Sequence, residues 1–545
     1  LEADFLAQAL VEYAALFISR NKPGAYASLL FTTRLTDPAC GALLQRCREV
    51  GSAVATNLVF FDLEIAGIPD ARFAEIIEAD CLQEYRYHLI REREQGKHYL
   101  SEAEERILVK TANCRGSAFG RLSSELGARA KYTVGDKEMG QSEALSLLYS
   151  PDREVRKSAA EGVTATMKDL AHVGSFIFNT MLHEKDVMDT LRGHAEPEHS
   201  RHLANDLDPA VVQTVVDVCV ANFATVADYY ELKGELLGIK DLTHYDRYAP
   251  MGDAETDFSY DEARDLVLDA FGEFSPKLRE MTEPFFEKNW IDAAVDEGKQ
   301  GGAYCSPVTP DLHPYVFMNF TGKGRDVMTL AHELGHGIHD VLASRNNPYN
   351  YYPVLPLAET ASTFAEMLVF DRLLGQLDSP KDRLALLCDK LENSFATVYR
   401  QISMYRFEQR AHRLRREQGE QSTEAYNAVW QEAMSEMFGD SLEMGEGHAW
   451  WWLYIPHVVH TPFYVYAYAF GELLVYALYA RYKAEGDSFL EGYFELLASG
   501  GCDRPAKLVA ALGIDIADSA FWQGGCDLIA ARVAEAKRLA SELRG

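Results

Sequence analysis

The chain has 545 residues, 47% of them hydrophobic, with 53 Lys and Arg against 83 Asp and Glu, a formal charge of -30. That charge repels nucleic acid and anionic lipid, which disfavours any polyanion-binding role, and the ordinary composition excludes a disordered or fibrous chain. The length exceeds what one hydrophobic core fills and predicts more than one lobe.

Nine cysteines are scattered with no Cys-Xaa-Xaa-Cys pair, the pattern of free thiols in a reducing compartment rather than a disulfide framework or a thiolate metal site. The expected location is cytoplasmic. The opening Leu1-Glu-Ala-Asp-Phe5 has no basic segment leading into an apolar signal core, although its first residue is not Met.

In chain order, apolar residues at three- and four-residue spacing predict helices over Phe5 to Ile18, Cys40 to Leu58, Asp70 to Arg91 and Glu102 to Asn113. Pro23-Gly24, Pro38 and Pro69 punctuate them, and Ser101-Glu-Ala-Glu104 has the form of a capping box. Around Arg192 to Pro209 the pattern breaks at Gly193 and Pro197. The histidines there, His194, His199 and His202, show no i, i+4 pair, so the stretch reads as a linker. This places a helical N-terminal lobe at 1–195 and a helical catalytic domain at 196–545. Helices resume from Asp208, and Tyr245 to Phe258 reads as a loop.

Residues 301–320 differ in kind. Gly301-Gly-Ala-Tyr304 is a turn, and His313-Pro-Tyr-Val-Phe-Met-Asn-Phe320 is rich in β-formers. It reads as a strand, with Pro314 favouring a sheet edge on which an extended peptide can pair by strand addition. Then Val327, Leu330, Leu334, Ile338 and Val341 mark a helix that stops at Asn346-Asn347-Pro348.

On that helix lies His332-Glu333-Leu-Gly-His336. Side chains four apart share a face, so both imidazoles reach one cation, while Glu333, rotated by roughly 100°, meets a water on it. Chance alone produces this five-residue pattern in roughly one chain of this length in thirty. A second helical segment, Leu357-Ala-Glu359-Thr-Ala-Ser-Thr-Phe-Ala-Glu366, follows a short loop and can return Glu359 to the metal. Two imidazoles and a carboxylate leave a fourth position open, as a catalytic zinc requires. Glu366 is placed to accept a hydrogen bond from a ligand imidazole. Gly335 and Gly337 weaken the helix by about 1 kcal/mol each, which predicts the close approach of a neighbouring backbone. His339 and Asp340 read as packing or supporting groups rather than ligands. In the resulting chemistry, zinc acidifies water and polarises the scissile carbonyl, and Glu333 carries the proton to the leaving amine.

The run Trp450 to Ala480 is long enough to span a bilayer, but His457, His460, Pro462 and Glu472 interrupt it, so a buried helix beside a polar cleft is expected. Within it, Pro456-His457-Val-Val-His460-Thr-Pro-Phe-Tyr464-Val-Tyr466-Ala-Tyr468 gathers imidazoles and phenols suited to stabilising an oxyanion. Tyrosines two apart cannot all face one way on a helix, so at most two of the three reach the cleft.

Taken with Leu330-Ala-His-Glu-Leu-Gly-His336, Leu357-Ala-Glu-Thr-Ala-Ser-Thr-Phe-Ala-Glu366, Gly302-Ala-Tyr304 and Phe463-Tyr-Val-Tyr-Ala-Tyr-Ala-Phe-Gly471, the sequence resembles oligoendopeptidase F, within the thimet oligopeptidase family of zinc peptidases. A weaker likeness extends over nearly the whole chain, including Arg115-Gly-Ser-Ala-Phe-Gly-Arg121. The resemblance implies a mainly α fold, two helical lobes enclosing a deep channel, with a small β element beside the zinc-binding helix. It implies one Zn2+ on His332, His336 and Glu359, Glu333 as acid/base, and substrate contacts from the His and Tyr residues of the 457–468 segment, with either His457 or His460 as the histidine and His457, Tyr464 and Tyr466 the favoured set. The partners are short peptides, with no nucleic acid or membrane and no oligomeric state specified. The alternatives are a zinc carboxypeptidase or dipeptidyl carboxypeptidase, for which no anchor for a free carboxylate stands out, and a non-catalytic peptide-binding scaffold.

Overall fold

Several helices start where the sequence supplies an acceptor for exposed backbone N–H groups. Asp152 accepts from Glu154 N at 2.9 Å at the head of Arg153–Arg192, and Ser259 and Glu262 form a reciprocal capping box at the head of Tyr260–Phe274. The long helix Arg153–Arg192 ends at Gly193, whose φ of 71° only glycine adopts freely. The computed structural model describes residues 2–252 and 257–544. Residues 253–256, part of the loop expected between 245 and 258, lie outside the described residues.

The fold is mainly α. Among the described residues the strands are β1 (Tyr132–Val134), β2 (Lys137–Met139), β3 (Ile291–Asp292), β4 (Tyr304–Ser306) and β5 (Tyr315–Phe317). β1 and β2 form an antiparallel hairpin. In the other sheet β5 lies in the middle, parallel to β3 and antiparallel to β4, with Val316 opposite Ile291 and Cys305. The strand expected at the sheet edge is thus the central one. Pro314 lies just before the paired residues, so it removes no ladder hydrogen bond, and the edges of the sheet are β3 and β4.

The chain forms two compact units, each assembled from three stretches. One comprises Leu1–Glu102, Glu255–Gln376 and Leu478–Asp515, and the other Ala103–Ala254, Leu377–Ala477 and Ile516–Gly545. The single boundary expected near residue 195 is therefore replaced by crossings near 102, 254, 376, 477 and 515. The reason is local. The Gly/Pro/His stretch after Gly193 is a connection inside the second unit, where the short helix His199–Asn205 buries His202 and Asn205.

In the first unit the helices Ala3–Thr33 and Pro38–Ala66 close a core containing Leu6, Leu10, Ile65, Ile76, Leu82 and Leu89. Pro23 lies inside the first of these helices instead of ending it, and the helix expected over 70–91 is divided into Asp70–Ile76, a 3-10 turn Asp80–Tyr85 and Arg86–Gly96. In the second unit Tyr132, Val163, Met167 and Trp451 are buried together. The run 450–480 is a 3-10 segment Glu446–Tyr454, the short helix His457–His460 and the helix Tyr466–Glu485. Among the described residues, Pro209–Leu237 is long and apolar enough to cross a membrane by length and composition, with 44% of its apolar window buried.

Candidate metal centre

The site is built on the helix Gly324–Ala343 and the helix Thr360–Gln376 that follows it. Asp326 fastens the start of the first, accepting from Thr321 N at 2.7 Å, Thr321 Oγ1 at 2.6 Å and Lys323 N at 3.2 Å. The two helices meet at Gly335. A Cβ there would stand 2.5 Å from Ser362 Cα and 2.6 Å from the Ala361 carbonyl oxygen, so only glycine permits this backbone approach. At Gly337 the close neighbour is the Phe285 ring, 2.5 Å from where a Cβ would lie. The cost of two helical glycines is thus offset by contact, with backbone at one position and with a ring at the other.

That contact brings Glu359, at the break between Leu355–Ala358 and Thr360–Gln376, back to the histidines. His332 Nε2 and His336 Nε2 are 3.2 Å apart, and Glu359 Oε2 is 3.3 Å from the first and 3.4 Å from the second. Three ligand atoms at about 2.0–2.1 Å from a tetrahedral zinc lie roughly 3.3–3.4 Å from one another, so this triangle fits the ion.

Neighbouring groups fix the triangle. His332 Nδ1 donates to Glu366 Oε1 at 2.6 Å, which leaves the Nε2 lone pair facing the site. Ser362 Oγ donates to Glu359 Oε2 at 2.7 Å. Burial opposes a charged His332, yet the carboxylates of Glu366 and Glu359 outweigh it and hold the ring up at about 9. Burial likewise works to raise Glu359, but the imidazoles of His336 and His332 outweigh it and leave the carboxyl at about 2. A donor set that draws positive charge this strongly is suited to a divalent cation.

Glu333 is buried beside these side chains with Oε2 lacking a partner, and burial raises its pKa. His339 is buried and held down to about 4 by burial, and Asp340 accepts from Cys305 Sγ at 3.7 Å, so neither belongs to the triangle. Ser362 carries no metal-ligand or base signature in the sequence. Its signal is its place three residues beyond Glu359, within helical reach of that carboxylate.

The second unit separates the residues of the 456–468 segment. His457, Tyr464 and Tyr468 are half-buried and gather together: His457 Nε2 is 3.3 Å from Tyr468 Oη, and the two tyrosine rings are 5.1 Å apart. His460 is exposed and turns instead to Ser124 Oγ, 3.1 Å from its Nε2. Tyr466 departs from the expectation. It is fully buried, and its hydroxyl accepts from Asn205 Nδ2 at 2.8 Å and lies 3.2 Å from His202 Nδ1. A residue two positions from Tyr464 and Tyr468 lies on the opposite side of the chain, whereas those two, at i and i+4, share a side. Tyr468, not Tyr466, is the tyrosine that gathers with His457 and Tyr464.

The sequence pattern of Peptidase family M3 matches residues 146–528, and that of Oligopeptidase F matches residues 64–132. Group B oligopeptidase PepB of Streptococcus agalactiae is 26% identical over 492 residues, 89% of this chain and 81% of that protein. Oligopeptidase PepF of Bacillus subtilis is 25% identical over 491 residues, 88% of this chain and 73% of that protein. Among solved structures, oligoendopeptidase-F from Enterococcus faecium matches with a TM-score of 0.76 at 20% identity, over 99% of this chain and 94% of that one. A peptidase from Chlamydophila abortus matches with a TM-score of 0.90 at 23% identity, over 99% and 91%. At such identities the structural likeness shows the fold.

Proposed function

The chain belongs to peptidase family M3 and is a peptide-hydrolysing metalloendopeptidase, and from that premise we propose that it cleaves short peptides internally with one zinc ion on His332, His336 and Glu359 and with Glu333 as general base. The observation that carries this reading is the triangle of two Nε2 atoms and one Oε2 atom with sides of 3.2, 3.3 and 3.4 Å. A zinc ion held there supplies Lewis acidity toward the scissile carbonyl and lowers the pKa of water.

The chain's own groups do the rest. Glu366 holds the His332 ring with Nε2 turned to the site, and Ser362 holds the Glu359 carboxylate. Glu333 follows His332 on the helix, and the rise in its pKa through burial suits a group that takes a proton from the attacking water and hands it to the departing amine. His457, Tyr464 and Tyr468 are the proposed donors of the hydrogen bonds that a developing oxyanion needs, which their clustering supports. Short peptides are the assigned substrates because the relatives are named oligopeptidases. The nine free cysteines support a reducing, cytoplasmic setting.

The test is digestion of a mixture of short peptides blocked as C-terminal amides, followed by mass spectrometry, with and without chelator. Internal cleavage that disappears on chelation and returns with stoichiometric zinc is expected. Loss of all cleavage on the amidated peptides would overturn the endopeptidase reading in favour of a carboxypeptidase, and chelator-insensitive cleavage would overturn the metal assignment.

A further inference from the structure

The turn Thr461-Pro-Phe-Tyr464 links the short helix His457–His460 to the helix Tyr466–Glu485. Tyr464 N donates to the Thr461 carbonyl at 3.1 Å, which closes a four-residue turn with Pro462 second and Phe463 third. Phe463 has φ of 59°. In turns that need a positive φ at the third position, glycine or asparagine is the usual residue, because a Cβ is strained there. A phenylalanine persists in such a conformation only where its surroundings over-determine it.

The surroundings do so here. Phe463 is fully buried, with its ring 4.6 Å from His412 and 5.9 Å from Tyr405 between centroids. Its N–H donates to Glu408 Oε1 at 2.8 Å, and Glu408, on the helix Tyr399–Gln418, is itself fully buried. The Pro462 carbonyl accepts from Arg201 Nε at 3.4 Å, and the Arg201 guanidinium lies 5.8 Å from the Tyr464 ring centre. Glu408 Oε2 has no partner. A carboxyl group buried for a single backbone N–H is costly unless that one bond does something a neutral apolar side chain would not.

We propose that Glu408 is a positioning residue for peptide hydrolysis: by holding Phe463 N–H it fixes the left-handed turn that sets Tyr464 and Tyr468 against His457. This rests on the reading that the His457–Tyr468 segment acts on substrate. Glu408 touches neither of these tyrosines by hydrogen bond, so its effect runs through the turn. Burial holds its carboxyl up at about 8, against the pull of the Phe463 N–H, so at neutral pH the group that grips the turn is largely the uncharged acid. A glutamine can therefore replace it, since an amide carbonyl accepts the same bond.

The test compares Glu408→Gln, Glu408→Leu and Glu408→Asp on a fluorogenic peptide, with zinc content and melting temperature measured alongside. Glu408→Gln is expected within about threefold of wild type, while Glu408→Leu loses about a hundredfold in kcat at unchanged zinc content, the scale of loss that follows a misplacement of about 1 Å. The loss is expected in kcat rather than KM, together with a matching loss of affinity for a transition-state-like phosphinic peptide but not for a cleavage product, a split that a merely structural role would not produce. If Glu408→Leu does not fold, Glu408→Asp, whose shorter side chain cannot reach the N–H, carries the comparison. Wild-type kcat in the folded Leu or Asp variant would overturn the inference. His457→Ala, Tyr464→Phe and Tyr468→Phe separate the two levels. Full turnover in all three would overturn the segment's role and this inference with it, whereas impaired turnover in them with full turnover in Glu408→Leu overturns the positioning role alone.

Discussion

The metal centre and the His457–Tyr468 segment both collect polar side chains, but they are held in different ways. In the candidate metal centre His332 and His336 lie on one helix and are fixed relative to one another by helix periodicity alone, and Glu359 stands at the break just before the helix Thr360–Gln376. In the segment, His457 precedes a turn that ends at Tyr464 and carries a phenylalanine at positive φ, and Glu408, about fifty residues earlier in sequence, accepts from that phenylalanine's N–H. Chemistry anchored on one regular element can be read from spacing. Chemistry anchored on a strained turn needs the fold.

Removing the proposed base from the candidate metal centre is the severest way to break that comparison. Glu333→Gln keeps the shape of the side chain and leaves His332, His336 and Glu359 in place, so zinc content measured by mass spectrometry is expected to stay stoichiometric. Turnover is expected to fall by at least about a thousandfold, the combined loss of proton removal and delivery. Unchanged turnover would remove Glu333 from the role of base.

Glu366→Gln acts one step further out. The amide oxygen can still accept from His332 Nδ1, but the charge that favours that arrangement is gone, and an affinity for zinc weaker by about 10–100-fold is expected in competition with a chromophoric chelator. A variant with wild-type zinc affinity would mean that the 2.6 Å contact orients nothing. If both effects are seen, the metal centre is organised as its helix spacing indicates, outward from two histidines.

How much of this was legible follows the same line. The convergence of His332 and His336 was readable because a helix places residues four apart on one face, and that of Glu359 because a second helical pattern began soon after the first ended. Gly335 and Gly337 announced a close approach, although only the structure distinguishes the Ser362 backbone from the Phe285 ring as the neighbour. The β-formers at 313–320 announced a strand, but its place in the middle of the sheet depends on partners at 291–292 and 304–306, which no local pattern identifies. The two units were illegible for a similar reason: composition changes along the chain mark connections, and a unit built from three separated stretches has no single connection at its border. Glu408 had no sequence signal, because its task is set by the backbone of a residue distant in the chain.

The smallest effects test the division among the tyrosines. Tyr468 Oη lies 3.3 Å from His457 Nε2 on a half-buried side chain, so Tyr468→Phe removes a donor from the cluster while keeping its packing, and a fall in kcat of about tenfold with little change in melting temperature is expected. Tyr466 is its opposite. Its hydroxyl is occupied by Asn205 and His202 inside the core, so Tyr466→Phe leaves the Asn205 amide without its acceptor and is expected to lower stability by about 1–2 kcal/mol, read by urea unfolding, with kcat unchanged. The contrast within the pair is more informative than either value, since both variants delete one hydroxyl from tyrosines two positions apart. A loss of kcat in Tyr466→Phe at full stability would reverse the assignment and place the working phenol on the buried side of the helix.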